Sequence, residues 1–430
     1  TDKDGRAEFS VKAPKLKLWS PDSPTLYEVA LALDNKPLVD RIGFRTIATQ
    51  GTQILLNGDP IKLRGISMHD ETVLRPGVAN SAADAKASLE LIKGLNANFA
   101  RLAHYPHNEH TVRLADELGL MLWSEVPIVS LIDWENKNTL AVAKSQVADN
   151  VSRDMNRAAI IMWSVSNESF PQTDKRLEFL TELATTARNL DASKRPIASA
   201  LVGNPKEEFR DLGKHLVAQI LRTPSVDKAV KDKLMAMMGA AAAKGGAGAE
   251  KAKQADAAPE EASLNVVISD PLGEVVDIVG YNEYFGWYYE RNFAEAIGID
   301  EGIVRDAMLA IMPNFRFSNS FGKPMIISEF GADAKQGLRT DKAYIYSEDY
   351  QARVYRAQLD MLDRSPQVQG YSPWVLKDFR SHLRELNGIQ DGYNRKGLVS
   401  ETGKKKLAFD VLSEHYKMLK AQADQQPAVE

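Results

Sequence analysis

The chain has 430 residues, 44% of them hydrophobic and 26% charged, and a formal charge of −4. That balance suits one large core with a smaller domain beside it, and it gives nucleic acid or an anionic membrane no electrostatic hold. Cysteine is absent, which rules out disulfides, zinc–thiolate sites and thiol nucleophiles and says nothing of the compartment; no apolar run approaches roughly 18 residues, so no membrane-spanning helix is expected.

The opening T-D-K-D-G-R does not read as a signal peptide. Residues 1–50 read as β. Phe9–Val11, Tyr27–Leu33 and Val39–Phe44 are strand candidates, divided by Pro- and Asp-rich turns such as S-P-D-S-P at 20–24. Three strands are too few for an independent sandwich, so this stretch reads as part of a larger β domain.

From Ile54 the pattern becomes strand–helix alternation. Ile61–Ile66 reads as the first strand. Ser81 and Asp84 open a helix carried by Ala85, Leu89, Ile92 and Leu95. Asn98–Leu102 and Leu120–Trp123 are the next strands, with a helix at Glu109–Leu118 stopped by Gly119. A stripe at Leu140, Ala143, Val147, Val151 and Met155 leads into a strand at Ile160. Leu177, Leu180, Leu183, Ala187 and Leu190 mark the next helix, and Pro196–Leu201 the fifth strand. Val276–Tyr281, Pro324–Ser328 and Val368–Tyr371 complete eight, with a helix through Tyr350, Val354, Ala357 and Met361 before the last. Eight strands alternating with helices predict a (β/α)8 barrel, in which the carboxyl ends of the strands carry the site. The 202–275 segment does not fit the alternation. Its tract G-A-A-A-A-K-G-G-A-G-A-E-K-A-K at 239–253 is low in complexity, Val226–Met238 reads as a short helix, and the whole reads as a tolerated insertion rather than a lid.

Two strands deliver carboxylates. I-I-M-W-S-V-S-N-E-S at 160–169 is an apolar run that breaks into polar residues at Ser166, Asn167 and Glu168. P-M-I-I-S-E-F-G-A-D at 324–333 does the same with Glu329. Each is how a doubly buried parallel strand looks when its end opens into a site. Both carboxylates then share one rim, which is the equipment for glycoside hydrolysis.

Six stretches occur in an order that resembles glycoside hydrolase family 2: G-I-S-M-H-D (65–70), A-R-L-A-H-Y-P-H (100–107), I-M-W-S-V-S-N-E (161–168), Y-N-E-Y-F-G-W-Y (281–288), I-S-E-F-G-A (327–332) and S-P-W-V-L-K-D-F (372–379). The resemblance implies an α/β fold, a (β/α)8 TIM barrel over 51–430 preceded by a partial immunoglobulin-like β-sandwich domain over 1–50, shortened at the amino terminus and lacking the family's sugar-binding jelly roll. It implies Glu168 as acid/base and Glu329 as nucleophile of a retaining mechanism, with carboxyl groups roughly 5–5.5 Å apart. Asn167 matches the residue on the sugar 2-hydroxyl, Tyr284 the one that orients the nucleophile, and Trp374 an apolar platform for the sugar. His69, His104, Asn282 and Tyr288 match pocket positions. Glu125 matches a magnesium-site Glu of some relatives, but the following V-P-I-V-S lacks the accompanying His, so neither metal nor cofactor is expected.

The G-Y-N-R-K-G turn at 392–397 resembles the Asn-x-Lys signature of β-glucuronidases, with Asn394 and Lys396 placed to hold a uronate carboxylate. A neutral hexose is expected to leave Lys396 unpaired. Some relatives carry an Arg where this chain has Gln390, and Arg380 or Arg384 is available from the preceding loop. The expected activity is exo-acting hydrolysis of terminal β-glucuronides, with a carbohydrate as partner and self-association left open. The alternatives are a β-galacturonidase or β-galactosidase with the same carboxylates, or a carbohydrate-binding chain that has lost turnover.

Overall fold

Eight parallel strands close on themselves: Leu63–Met68, Phe99–Leu102, Met121–Glu125, Ile160–Phe170, Ile197–Leu201, Ile278–Asn282, Met325–Glu329 and Val368–Tyr371. They pair in chain order, and the eighth pairs with the first through Gly370–Leu63 and Tyr371–Arg64. The computed structural model describes residues 3, 7, 8, 10–13, 15–33, 36–201, 203, 205–244 and 263–425. The barrel strands are buried on both faces, which is why they read as largely apolar rather than alternating.

Outside the barrel run helices Ala82–Gly94, Glu109–Leu118, Lys137–Asp154, Asp174–Leu190 and Glu348–Asp363. Each starts on a short polar side chain that accepts an otherwise unsatisfied backbone N–H. Ser81 takes Asp84, Asn108 takes His110, Asn136 takes Asn138, Thr173 takes Arg176 and Ser347 takes Tyr350. Gly119 ends the second helix with φ 68°, and a Cβ there would lie 2.4 Å from the carbonyl oxygen of Pro21. Only glycine lets the amino-terminal segment approach the barrel this closely.

That segment holds a hairpin, Tyr27–Leu33 with Lys36–Ile42, and a three-stranded sheet, Ile47–Gln50, Gln53–Leu56 and Asp59–Ile61. The expected boundary after residue 50 falls at a turn inside this second sheet. Of the predicted Phe9–Val11 strand, Phe9 lies outside the described residues, and Ser10 and Val11 form no strand. The segment closes the end of the barrel opposite the carboxylates. Trp19 is fully buried and donates Nε1–H to the Asp116 carbonyl at 2.8 Å, Arg45 donates to the Ala158 carbonyl, and Arg157 bridges Asp116 and Asp40.

The fourth strand differs from expectation. It does not stop at its polar residues but runs on to Phe170, with register shifts on both sides of Asn167, and Val129–Leu131 pairs alongside the extension. In the 202–275 segment, helices Pro205–Arg222 and Lys228–Lys244 form, the second continuing through the start of the Ala/Gly tract; its remainder at 245–253 lies outside the described residues. Leu264–Ile268 then pairs with Phe315–Asn319 in a small parallel sheet outside the barrel.

A buried ion pair props the fourth strand. Arg176 holds Asp270 through two bonds of 2.9 and 2.7 Å and donates Nε–H to Ser169 Oγ at 3.0 Å, with both charged side chains almost fully enclosed. Replacing Asp270 by Ala leaves the guanidinium enclosed without a counter-charge. We expect a loss of about 3–5 kcal/mol of folding stability, read as a lowered urea midpoint with unchanged slope.

Candidate active site

The site lies at the carboxyl rim and is built around a residue that the motif reading passed over. Arg101, near the end of the second strand, is fully buried. Its guanidinium donates to Glu329 Oε1 at 2.8 Å, to Asn167 Oδ1 at 2.7 Å, to both oxygens of Glu125 at 3.1–3.3 Å, and to the Ser328 carbonyl at 3.1 Å. Its signal in the sequence was a charge inside F-A-R-L, since an enclosed strand tolerates an Arg only beside counter-charges.

Glu329 ends the seventh strand. Besides Arg101, it accepts from Tyr284 Oη at 2.7 Å, and His104 Nε2 stands 3.7 Å from its Oε1. Burial, then the charge of Glu329, raises the Tyr284 hydroxyl well above its ordinary range, so Tyr284 stays a donor. Gly331 turns the chain away with φ 145°, and a Cβ there would lie 2.7 Å from the Trp374 carbonyl oxygen.

Glu168 sits in the irregular part of the fourth strand with φ 47° and keeps some exposure to the mouth. Asn282 donates to its Oε1 at 3.0 Å and to Asn167 Oδ1 at 3.1 Å, while Ser328 fixes Asn282 from behind at 2.7 Å. Desolvation, then the negative charge of Glu329, raises the Glu168 pKa. One hydrogen-bonded net therefore runs from Glu168 through Asn282, Asn167 and Arg101 to Glu329. Asn167 spends its carbonyl oxygen on two donors, which leaves its amide N–H groups for a ligand.

His104 lies against this net. Its Nδ1 meets Glu125 Oε1 at 2.6 Å and its ring stacks on Trp374 at 5.0 Å. Glu125 also accepts from Trp123 Nε1 and Ser164 Oγ, so four neighbours occupy the oxygens weighed above as a metal match. Trp374 is only 5% exposed and packs edge-on to His69 and Phe379, so it is a wall more than an open platform. His69 bonds Tyr105 Oη at 3.2 Å; burial, then the nearby His104, pushes its pKa down to about 3, and the ring is neutral.

The 392–397 turn forms a second cluster. Lys396 is fully buried and donates to Asp333 Oδ1 at 2.7 Å and to Tyr288 Oη at 2.9 Å. Burial opposes its charge, and Asp333 together with Tyr288 outweighs it, raising its pKa. The expectation that a neutral sugar leaves Lys396 unpaired is thereby corrected, because Asp333 already pairs it. Gln390 donates to the other oxygen of Asp333 at 2.8 Å. Asn394 Oδ1 accepts the Lys396 backbone N–H at 3.1 Å. The two clusters touch where the rings of Tyr284 and Tyr288 meet edge-on at 4.8 Å. All eleven residues singled out in the sequence thus lie in one connected group of side chains. Arg101, Asp333 and Tyr105 join them without having been anticipated.

Two measurements follow. The Glu168 carboxyl should titrate above an ordinary Glu by carbon-13 NMR, and Glu329→Gln should move it down by removing the neighbouring charge; an unmoved titration refutes the coupling. Glu283, enclosed between Asn282 and Tyr284, has its pKa raised from 4.5 to about 8, first by burial and helped by Glu290. A raised acid keeps its proton in the fold while the unfolded chain has lost it, so stability falls as pH rises from 4.5 to about 8. Glu283→Gln should remove part of that fall in a pH series of thermal melts.

Residues 47–237 match the family profile for the glycosyl hydrolases family 2 TIM barrel domain. The chain is 25% identical over 437 residues to the β-glucuronidase of Paenibacillus borealis, covering 96% of this chain and 60% of that protein. To the β-glucuronidase of Streptococcus agalactiae it is 26% identical, covering 89% of this chain and 55% of that one. A crystal structure of a β-galacturonidase from Eisenbergiella tayi bound to glycerol superposes with a TM-score of 0.68 at 25% identity, over 95% of this chain and 60% of the other. The chain thus spans about 60% or less of these relatives' own length. Over residues 47–237 the chain is therefore similar to the TIM barrel domain of glycosyl hydrolases family 2, and the closed parallel barrel agrees with that match.

Proposed function

We propose that the chain is a retaining, exo-acting β-uronidase of the β-glucuronidase type, with Glu329 as nucleophile and Glu168 as acid/base. The observation that carries this reading is the single hydrogen-bonded net joining those two carboxylates, with a raised pKa on the one that must donate a proton. A Glu329 oxygen attacks the anomeric carbon as its bond to the aglycone oxygen breaks. The bonding pair leaves on that oxygen, which takes the Glu168 proton. Once Glu329 is an ester its charge is gone, Glu168 ionises readily, and it takes a proton from the attacking water while the ester bond breaks. Arg101 and Tyr284 keep Glu329 aimed through both steps. Asn167, with its carbonyl engaged, offers N–H to the sugar 2-hydroxyl, and His104 and Trp374 wall the ring.

The uronide assignment rests on the donors at the foot of the mouth. Lys396 donates to Tyr288, the Asn394 oxygen accepts the Lys396 backbone N–H in the same turn, and named relatives of the chain are β-glucuronidases and β-galacturonidases, all of which support this reading. A galacturonide differs at one hydroxyl and suits the same donors. The Asp333–Lys396 pair favours a second reading, a neutral β-galactoside, because it balances the ammonium without any ligand.

Aryl β-glucuronide, β-galacturonide, β-galactoside and β-glucoside substrates test this together. We expect uronides to be cleaved fastest with retention at the anomeric carbon, and Glu329→Gln to reduce kcat by about 10⁴-fold or more. Faster hexoside cleavage moves the assignment to the neutral sugar. Sugar binding without turnover in the wild-type chain would mark a binding protein instead.

A further inference from the structure

The Tyr284 hydroxyl reaches Glu329 Oε2 at 2.7 Å, and a ring is aimed only as well as its backbone is held. That backbone belongs to the turn after the sixth strand, and Glu283 ties the turn down. Glu283 is fully buried, and its side chain lies outside the net between Glu168 and Glu329. Its backbone N–H donates to the Glu329 carbonyl oxygen at 3.0 Å. Its Oε2 accepts the Phe285 N–H at 2.9 Å, two residues on. Glu283 therefore grips Glu329 with its main chain and the far side of Tyr284 with its side chain.

The carboxyl is itself held from the outer layer of the barrel. Gln358, fully buried on helix Glu348–Asp363, donates from Nε2 to Glu283 Oε2 at 3.1 Å and to the Phe285 carbonyl at 2.7 Å. Glu283, Phe285 and Gln358 thus close a ring of three hydrogen bonds that brackets Tyr284 in the chain. One residue further, Glu290 accepts the Gly286 N–H at 2.7 Å and Tyr350 donates to the Gly286 carbonyl at 2.7 Å. Tyr284 is fixed at the residue before it and at the two residues after it.

The ring needs an accepting oxygen at Glu283 and not a charge. Among the described residues no cation lies within ion-pair distance of Glu283, and Arg305 is taken up by Glu290 and Glu301. Burial raises the Glu283 pKa to about 8 against the bonds from Phe285 and Gln358, and Glu290 adds to the rise. Its Oε1 is buried with no partner among the described residues. A carboxamide of the same shape would serve the ring equally well.

We propose that Glu283 is a positioning residue for the hydrolysis, holding Tyr284 on Glu329 through its ring with Phe285 and Gln358. This rests on the reading of Glu329 as nucleophile. Glu329 accepts from Arg101 on Oε1 and from Tyr284 on Oε2. With the turn released, Tyr284 drifts and the carboxylate is free to swing about its bond to Arg101. A misplacement of about 1 Å can cost about 10²-fold in rate.

The test is a double-mutant cycle on whichever aryl glycoside the wild-type chain cleaves fastest. It uses Glu283→Ala, Tyr284→Phe and the pair, each assayed below its melting temperature. We expect Glu283→Ala to lose about tenfold in kcat with KM nearly unchanged. Tyr284→Phe should lose at least as much, and the pair should be no slower than Tyr284→Phe alone. Glu283→Gln should recover most of the loss, because its carboxamide oxygen accepts the same two donors. Gln358→Leu opens the ring from the helix, which keeps the test open where Glu283→Ala does not fold; its loss too should vanish in the Tyr284→Phe background. An unchanged kcat, losses that multiply in the pair, or losses that fall on KM alone overturn the role of Glu283 and leave the assignment of Glu329 standing. A Glu329→Gln chain that keeps its turnover, or a wild-type chain that has none, overturns that assignment and the role of Glu283 with it.

Discussion

The mouth of this barrel depends on one guanidinium. Enclosing Arg101 costs several kcal/mol in lost hydration, and an enclosed charge survives only where counter-charges and hydrogen bonds surround it. Glu125 lies on one side at 3.1 Å and Glu329 on the other at 2.8 Å, with Asn167 between. Arg101 is therefore the ruler that sets where strands two, three, four and seven present their side chains. The planar fork matters as much as the charge, since a lysine cannot reach three partners in fixed directions.

Away from this centre, charge is balanced locally in small closed groups. Asp378 and Glu401 bind Arg395 and Lys406 beneath the 392–397 turn, Asp333 binds Lys396 within it, and Arg176 binds Asp270 behind the fourth strand. Each group fixes one loop of the rim to its neighbour without leaving a net charge to attract ions. Against that background an imbalance stands out, and two places show one. Near Glu168 and Glu329, burial and then the negative charge of Glu329 raise the Glu168 pKa. Near Tyr288 two cations, Lys396 and Arg384, share one phenol oxygen, and Asp333 pairs the first of them.

The barrel was legible in the sequence because parallel strands enclosed on both faces leave apolar runs of four to six residues, and nothing else in a chain of this composition looks alike. The two carboxylates were legible because each ends such a run. Arg101 was not, because its partner Glu329 is 228 positions away and no local pattern encodes that meeting. Asp333 was passed over for the same reason: it looks like a turn residue until the fold brings Lys396, 63 positions on, to its oxygen. The Pro205–Arg222 helix was not among the expected elements, and Gly213 lies inside it. In the fold a Cβ there would come within 3.3 Å of the Phe293 ring, so the glycine marks a close packing contact and not an end.

The continuation of the fourth strand past its polar residues has a physical reason that bears on the chemistry. An unbroken strand would point Asn167 and Glu168 to opposite faces, and only one could serve the mouth. Register shifts on either side of Asn167 bring both to the same net, at the cost of a left-handed backbone at Glu168 with φ 47°. For a residue with a long side chain that conformation costs of order 1–3 kcal/mol, so the surroundings must over-determine it. They do so on both flanks. The Asn167 N–H is held by the Ile128 carbonyl at 2.8 Å. Ser169 is held by Ser166 Oγ and by Arg176, whose own charge is fixed by Asp270. A buried ion pair on the outer layer of the barrel thereby supports a strained residue at its mouth, and Glu168 inherits its aim from helix packing as much as from the strand that carries it.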